Sequence, residues 1–394
     1  MEISPRKRLN FENTEIAFRN KSNADLNSAY YLYKVISSNF LVKVGPPVTN
    51  FFLTIGLPLK SIIKATIFKQ FCGGETIAEC ENTIKQLALG KVGTILDYSV
   101  EGEEEEAVFD FTSEEIIRTI NRAEGDSRIP ITVFKITGIG RFALLQKLDA
   151  KEALTEAEFA EFAKVRQRCK KICQVAFDKN VPIMIDAEES WIQHTIDELA
   201  LDMMRLFNRE KLLVYNTYQM YRHDKLADMK ADHLIARETG FILGVKMVRG
   251  AYMEKERKRA EEMDYPSPIQ LDKKATDLDY NNSLVYCVEN MEQLGFVSGT
   301  HNEESCKVLA QLLDDHQIPH NHPHVYFAQL LGMSDNLSFN LSDSAYNVAK
   351  YVPYGPVKAV LPYLFRRAQE NTSIAGQTSR ELNLIEKEKA RRKH

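Results

Sequence analysis

The sequence has no long apolar run. A transmembrane helix needs roughly 18 or more apolar residues, and the best run, Phe51 to Leu59, is half that length. A signal peptide is not expected either, because the basic residues Arg6 to Arg8 are followed by Asn10 and Glu12 rather than by an apolar stretch. A transit peptide is basic and poor in acids, which this start is not. We therefore expect no membrane-spanning segment.

Several motifs that mark common chemistries are also missing. The chain contains no GxGxxG, GxxxxGK[ST], GxSxG or HExxH pattern, which disfavours nicotinamide, nucleoside triphosphate, serine-hydrolase and zincin chemistry. Its 6 cysteines include no CxxC pair, and we expect all of them to be reduced thiols. The segment His320-Asn-His-Pro-His324 suggests a metal site, but no carboxylate lies at metal spacing beside it, so we predict none.

The composition is that of an ordinary globular protein. The 394 residues are 44% hydrophobic and 27% charged, with a formal net charge of −4. Such values exclude disordered and low-complexity chains. They also give no reason to expect a nucleic-acid partner, which would require a basic face.

The apolar pattern changes near residue 90. Residues 1–90 have helical spacing and predict a helical N-terminal arm. Residues 91–378 repeat a short apolar strand, a polar loop and an amphipathic helix about eight times, with strands predicted at 92–100, 131–137, 182–186, 212–216, 244–249, 296–300, 324–328 and 351–354. Eight units favour an α/β fold of the closed (β/α)8 barrel type over an open sheet. Residues 379–394 are predicted to be a basic C-terminal tail, which could contact a membrane surface.

Basic side chains dominate the predicted strand ends, where such barrels carry their active sites. Lys135 and Lys246 interrupt otherwise apolar strands, and a lysine in a buried strand needs a partner. Arg366 and Arg367 are adjacent on a predicted helix, and a guanidinium binds a carboxylate through two parallel hydrogen bonds. These residues predict an anionic substrate or cofactor.

Each of these signals also has a purely structural interpretation. Asp186 precedes a predicted helix and could be its N-cap. Arg366 and Arg367 could form surface ion pairs with Glu370 at helical spacing. Gly250, after the fifth strand, lets backbone amides approach a ligand, but turns use glycine as well.

Three motifs resemble the proline dehydrogenase family. They are Val245-Lys-Met-Val-Arg-Gly-Ala-Tyr252, Leu361-Pro-Tyr-Leu-Phe-Arg-Arg-Ala-Gln-Glu-Asn371 and Ile185-Asp-Ala-Glu-Glu189, supported by Thr300-His-Asn302 and Phe327-Ala-Gln-Leu-Leu-Gly-Met333. The motifs stand in family order, and the resemblance covers most of residues 92–375. It implies a distorted (β/α)8 barrel that binds FAD, in agreement with the fold predicted from the apolar pattern.

The resemblance also implies roles for individual residues. Catalytic roles fall on Asp186, expected to pair with Lys135, and on Lys246, expected beside flavin N5. Lys135, Arg366 and Arg367 would bind the proline carboxylate, and Glu370 would hold one of the arginines. The full set of implied substrate contacts is Lys135, Tyr252, Leu330, Tyr351, Tyr363, Arg366, Arg367 and Glu370. The implied cofactor contacts are Ala187, Asn216, Lys246, Val248, Arg249, Gly250, Ala251, Thr300, His301 and Asn302.

The implied reaction is the first step of proline catabolism. Hydride would pass from C5 of L-proline to flavin N5, giving Δ1-pyrroline-5-carboxylate, and a quinone would take the electrons. Nothing resembles the nicotinamide-binding domain of bifunctional members, so the monofunctional form is expected. Tyr351 would crowd a 4-hydroxyl group and so favours proline. The alternatives are a hydroxyproline dehydrogenase, a metal-dependent barrel enzyme and a non-catalytic scaffold.

Two departures from the bacterial pattern bear on location. Lys246 and Asn216 stand where many bacterial members have arginine and glutamine. Both departures resemble the eukaryotic branch. This favours the matrix side of the mitochondrion, with peripheral contact to the inner membrane, over a bacterial cytoplasm. The sequence leaves the oligomeric state open.

Overall fold

The computed structural model of the protein describes residues 9–36, 61, 63–99, 104–373 and 377–393. Residues 1–8 and 37–60 of the predicted N-terminal arm lie outside these ranges. The described residues form two compact units. We call residues 102–328 the central unit, and residues 1–101 together with 329–394 the terminal unit.

The described residues contain eight parallel strands. They are β1 Gly93–Tyr98, β2 Thr132–Phe134, β3 Ile183–Ile185, β4 Val214–Gln219, β5 Leu243–Val248, β6 Leu294–Gly299, β7 Val325–Leu330 and β8 Val348–Tyr354. Their order in the sheet is β1-β8-β7-β6-β5-β4-β3-β2. Helices alternate with the strands along the chain, and the predicted (β/α)8 class of α/β fold is confirmed.

The ends of β2, β3 and β4 differ from the prediction. β2 and β3 are three residues long, so Lys135 and Asp186 directly follow their strands instead of belonging to them. β4 extends beyond the predicted end at Asn216 as far as Gln219. In β2 and β3 the hydrogen-bonded strand stops just before a charged residue, Lys135 and Asp186 respectively. In β4, Asn216 and Thr217 stay in the ladder because their side chains are hydrogen-bonded to protein groups.

The central unit supplies most of the strands and helices. Its helices are α5 Glu106–Ala123, α6 Phe142–Asp149, α7 Glu156–Asp178, α8 Ser190–Phe207, α9 Lys225–Thr239, α10 Met253–Glu262, α11 Lys273–Glu289 and α12 Glu303–Asp315. α11 starts at Lys273, because the Asp272 side chain caps it by accepting a hydrogen bond from the Ala275 N–H at 2.8 Å. α6 and α10 lie in the connections after β2 and β5.

The core of the central unit is built by strands that are buried along their length. Val214, Val245 and Phe296, on three successive strands, have no appreciable exposed surface. Strands covered on both sides are typical of parallel sheets. Each such side chain contributes roughly 1.5–3 kcal/mol to folding. This apolar frame fixes the positions of the strand ends, and hence of the polar residues that follow them.

The terminal unit contains β1, β8 and the remaining helices. These are α1 Thr14–Phe18, α2 Asn23–Ile36, a π-helical turn Lys64–Phe68 that continues into α3 Lys69–Phe71, α4 Ile77–Leu89, α13 Asp335–Asp343, α14 Val357–Ser373 and α15 Gln377–Arg391. β1 and β8 pair in parallel, with Ile95 opposite Tyr351. None of the helices in the described residues is both long enough and apolar enough to span a membrane.

The predicted basic tail is in fact largely helical. α15 runs to Arg391 and contacts α1 and α2. Its buried positions, Glu381, Leu384, Ile385 and Glu388, recur at helical spacing. Two of the four are glutamates, so the apolar pattern is incomplete. Glu388 is held in place by Arg391 and Arg392, whose Nε atoms lie 2.9 and 2.7 Å from its carboxylate.

A buried ion cluster ties the terminal unit together. The Asp335 carboxylate lies 2.7 Å from Lys21 Nζ and 2.8 Å from Lys350 Nζ. Lys350 also donates to the Met333 carbonyl at 2.6 Å, and the Ser334 N–H donates to Glu381 of α15 at 2.7 Å. Burial by itself would raise the pKa of Asp335, but the charges of the two lysines outweigh it and hold that pKa below its usual range. The cluster therefore joins α13, α15, β8 and the segment before α2.

Candidate functional site

A buried ion pair links the ends of β3 and β5. Lys246 lies within β5, and its Nζ is 2.5 Å from Oδ1 of Asp186. The side chains are 6% and 13% exposed. The backbone N–H of Asp186 donates to the Phe134 carbonyl at 2.9 Å, which fixes the end of β3 against β2. This contact supplies the partner that a lysine in a buried strand requires.

Lys135 follows β2 directly and is half-buried. It precedes a 3-10 turn, Ile136–Gly138, in which Thr137 donates hydrogen bonds from its N–H and its hydroxyl to the carboxylate of Glu188. Burial raises the pKa of Glu188 to about 7, and the charge of Lys135 opposes that rise. The expected pairing of Lys135 with Asp186 stays a prediction, since the observed ion pair joins Asp186 to Lys246.

Arg249 is anchored between the ends of β5 and β6. Its guanidinium donates to Asp277 Oδ1 at 2.8 Å, to Thr300 Oγ1 at 2.7 Å and to Ser305 Oγ at 2.9 Å, and it lies 4.4 Å from the ring centroid of Tyr280. Four contacts fix the planar fork. The structure thus brings together Arg249 and Thr300, two of the predicted cofactor residues.

The predicted residues around this anchor occupy two loops. Asn302 caps α12 by accepting from the Ser305 N–H at 3.1 Å, and its own N–H donates to Thr300 Oγ1 at 3.0 Å. His301, between them, is half-buried. Val248 ends β5, and its carbonyl accepts from the Met220 N–H at 2.8 Å.

Gly250 meets a steric requirement for glycine. Its φ is +135°, and a Cβ built on it would lie 2.4 Å from the ring of Tyr221. Such a backbone strains any other residue. Ala251, which follows, is exposed, while Tyr252 and the more distant Ala187 are half-buried. The backbone here can come close to a bound group.

The two faces of β4 carry different polar residues. Thr217 pairs in register with Lys246, so Thr217 and Gln219 share the face of Lys246, and Asn216 lies on the other face. There the Asn216 amide donates to Asp197 of α8 at 2.8 Å. The predicted cofactor contact of Asn216 remains a prediction. A ligand beside Lys246 would lie on the same face of β4 as Gln219, and so could contact Gln219 more directly than Asn216.

The terminal unit holds the other predicted substrate residues. On α14, Arg367 is 7% exposed and its guanidinium lies 5.2 Å from the ring centroid of Tyr363, while Arg366 is half-buried. Tyr351 is buried within β8, and Leu330 ends β7. Glu370 belongs to α14, but its side chain lies outside what the structure describes, so its contact with an arginine stays a prediction.

An apolar cluster supports α14 in the terminal unit. Leu361 and Leu364 of α14 pack with Leu26 and Tyr33 of α2 and with Leu384 of α15. The helix that carries Arg366 and Arg367 is therefore fixed by buried contacts on the side of α2 and α15.

The histidine segment forms no metal site in the described part of the chain. His320 bonds to Asp314 at 2.9 Å, and Nδ1 of His322 accepts from the His324 N–H at 3.3 Å. Burial lowers the pKa of both His322 and His324. Among the residues described, no group of three or more metal-ligating side chains occurs.

The central unit has features that fit a flavin. Lys246 supplies positive charge within β5, and Gly250 allows close approach of backbone to a ring system. Gln219 Oε1 is buried, and no described group donates a hydrogen bond to it. A flavin ring carries an N–H donor that suits such an acceptor, and reduced flavin is stabilised by a nearby cation. These residues therefore fit the implied cofactor.

Three polar residues of the central unit were given no role by the sequence. Glu188 and Thr137 bond to each other, and Gln219 shares the face of Lys246. Two features of the sequence could have pointed to them. Glu188 lies within the Ile185–Glu189 motif, and the alternation of side chains along β4 puts Gln219 and Asn216 on opposite faces of the strand. The period becomes useful only after the register with β5 is known.

Comparison with known proteins gives consistent results. A family model described as proline dehydrogenase matches residues 80–380. The chain is 33% identical over 427 residues to "Proline dehydrogenase 1, mitochondrial" of Dictyostelium discoideum, with 96% of this chain and 74% of that protein covered. It is also 33% identical over 322 residues to "Carbapenem antibiotics biosynthesis protein CarD" of Pectobacterium carotovorum, with coverages of 82% and 83%.

A solved structure matches as well. Proline utilization A from Bdellovibrio bacteriovorus superposes with a TM-score of 0.72 at 20% identity, over 91% of this chain. The chain spans 38% of the length of that protein. At this identity the match shows the fold.

Proposed function

Because this chain belongs to the proline dehydrogenase family, we propose that it is an FAD-dependent enzyme that oxidises L-proline to Δ1-pyrroline-5-carboxylate. The family makes it an oxidoreductase. The observation that supports the proposal most strongly is the buried pair of Lys246 and Asp186, which puts a lysine ammonium at the strand ends where the fold carries its chemistry.

The residues of the central unit are proposed to prepare one site. When bound, FAD would accept the hydride that leaves C5 of proline. Lys246 would provide positive charge next to the ring, and Asp186 would hold the ammonium of Lys246 in place. Gln219 would accept a hydrogen bond from the ring, and Arg249, fixed by Asp277, would contact the more polar part of the cofactor.

The substrate is proposed to be held by its carboxylate. Lys135 and the two arginines of α14, Arg366 and Arg367, are assigned to that group by the family resemblance. Tyr351 is proposed to pack against the ring and to disfavour a 4-hydroxyl group. The ring nitrogen must lose its proton before hydride can leave C5, because a protonated amine cannot donate its electron pair.

The location and the electron acceptor are proposed on the same basis. The Dictyostelium discoideum relative carries "mitochondrial" in its name. We propose that this chain acts on the matrix side of mitochondria and passes electrons to a quinone, with peripheral contact to the inner membrane.

Anaerobic reduction of the bound flavin tests the proposal. L-proline should bleach the visible flavin absorbance of the purified protein, and trans-4-hydroxy-L-proline should do so much more slowly. Faster bleaching by the hydroxylated substrate would favour the hydroxyproline alternative. A colourless protein that binds no added FAD would reject the whole proposal.

A charge variant tests the carboxylate assignment. Arg367→Met should raise KM for L-proline about a hundredfold, since a bidentate charged contact is lost, while the flavin stays bound. Arg118→Met is the matched control, because Arg118 is 49% exposed and pairs with Glu115 on α5. Equal KM values for the two variants would contradict the assignment.

A further inference from the structure

The position of Lys135 is set by a short turn rather than by the sheet. β2 ends at Phe134, and Lys135 lies between that strand and the turn Ile136–Gly138. The carbonyl of Lys135 accepts a hydrogen bond from the Gly138 N–H at 3.2 Å, so Lys135 is joined to this turn. Whatever holds the turn therefore determines where the Lys135 ammonium can reach.

Glu188 holds that turn. Its Oε1 accepts from the Thr137 N–H at 3.1 Å, and its Oε2 accepts from the Thr137 hydroxyl. Both residues are buried, at 3% and 8% exposure. Two hydrogen bonds from one residue to the two oxygens of a carboxylate define the orientation of the turn as well as its distance.

Glu188 is itself fixed from two further elements. Gln193 of α8 accepts from the Glu188 N–H at 2.7 Å, and Gln219 of β4 donates to the Glu188 carbonyl at 2.9 Å. The Gln193 amide also donates to Asp197 at 2.8 Å. All of these side chains are largely buried, so the network has few other conformations available. The carboxylate is thus a fixed reference point for the turn.

Electrostatics connect the same carboxyl group to Lys135. The charge of Lys135 stabilises the ionised form of Glu188, and the charge of Glu189 opposes it. Glu189 has its own partner, since its carboxylate contacts Lys255. The ammonium of Lys135 thus lies within electrostatic range of the carboxyl group that holds its turn.

We propose that Glu188 is a positioning residue that fixes Lys135 through Thr137 and thereby sets the affinity for the substrate carboxylate. The inference rests on the proposed function, which makes Lys135 a carboxylate ligand. It adds to that function a buried residue that does not itself touch substrate.

Steady-state kinetics of matched variants test the inference. Glu188→Ala should raise KM for L-proline about tenfold and change kcat less than threefold, because the hydrogen bonds that orient Lys135 are lost. Glu188→Gln should stay nearer to the wild type, since its amide can still accept from the Thr137 N–H and donate to the Thr137 oxygen. Thr137→Val, which keeps the N–H and the volume, should raise KM by about threefold.

A purely structural role would give a different pattern. It would lower the flavin content or kcat and leave KM unchanged in the active fraction. Glu189→Gln removes the neighbouring carboxylate without touching the turn, and its KM should match the wild type. Binding of tetrahydrofuran-2-carboxylate, followed by the flavin spectrum, should weaken in the same order as KM and provides a readout besides turnover.

The failures can be told apart. If wild-type flavin is not reduced by L-proline, the proposed function and this inference both fall. If wild type is reduced but Glu188→Ala keeps its KM, only the inference falls. Should Glu188→Ala not fold, an unchanged KM in Thr137→Val overturns the inference equally well.

Discussion

Lys246 Nζ lies 2.5 Å from Asp186 Oδ1, and the pair is buried at the ends of two parallel strands. Removing one partner of a buried ion pair leaves a charge without its counter-ion, which costs about 3–5 kcal/mol, whereas removing both costs much less. The pair therefore acts as a unit in stability as well as in the proposed chemistry.

This relationship predicts a strongly non-additive double-mutant cycle. Lys246→Met should lower the free energy of unfolding by about 3 kcal/mol, and the double variant Lys246→Met with Asp186→Leu should recover at least half of that loss. Urea unfolding of the flavin-free protein measures all four members of the cycle. Additive losses would mean that the two charges do not depend on each other.

Two aspartates lie at the same distance from Lys225 but differ in how far they are buried, so they show what burial adds to an ion pair. Asp197 and Asp228 each lie 2.8 Å from Lys225 Nζ, but their side chains are 13% and 46% exposed. Asp197 also accepts from Asn216 and Gln193. Asp197→Ala should cost about 3 kcal/mol and Asp228→Ala less than about 1 kcal/mol. Thermal unfolding at low and high salt measures the difference, and equal losses would show that burial is not the deciding factor.

The Asp335 cluster predicts a pH dependence of stability. Lys21 and Lys350 hold the pKa of the Asp335 carboxyl below the usual carboxyl range. The contribution of Asp335 to folding stability is therefore present at neutral pH and is lost as the pH falls through and below that range. Asp335→Asn should therefore destabilise the protein by about 3 kcal/mol at pH 7, and the difference in stability from the wild type should narrow as the pH falls below about 4. A difference that stays constant between about pH 4 and about pH 2 would contradict the assignment.

Substitutions at Gly250 and Gly125 allow the cost of backbone strain to be measured separately from the cost of a steric clash. Both have positive φ, but a Cβ on Gly250 would lie 2.4 Å from Tyr221, and a Cβ on Gly125 would have no neighbour within 4 Å. Gly125→Ala should cost about 1 kcal/mol, the price of the left-handed backbone alone. Gly250→Ala should cost about 3 kcal/mol or more and should also reduce FAD retention. Denaturant titration and the ratio of flavin to protein absorbance measure the two effects.

Local sequence was sufficient for the fold class and for much of the element order. Apolar strands alternate with amphipathic helices over most of the chain. The apolar period that identifies each segment is local, so it can be recognised without knowing which segments are neighbours in space. It was insufficient where polar residues occupy buried helical positions. Glu381 and Glu388 interrupt the apolar face of α15, so the packing of this helix against α1 and α2 was not predicted from its apolar pattern.

The candidate site shows the same division. The apolar pattern was enough to place the polar residues near strand ends, although the ends of β2, β3 and β4 differ from their predicted positions by up to three residues. The partners became known from the folded chain, in which Lys246 pairs with Asp186, Glu188 bonds to Thr137, and Gln219 rather than Asn216 lies on the face of Lys246. The physical reason is that a partner is a neighbour in space across strands. The register between strands decides which side chains lie opposite each other, and it depends on a neighbouring strand that is distant in the chain.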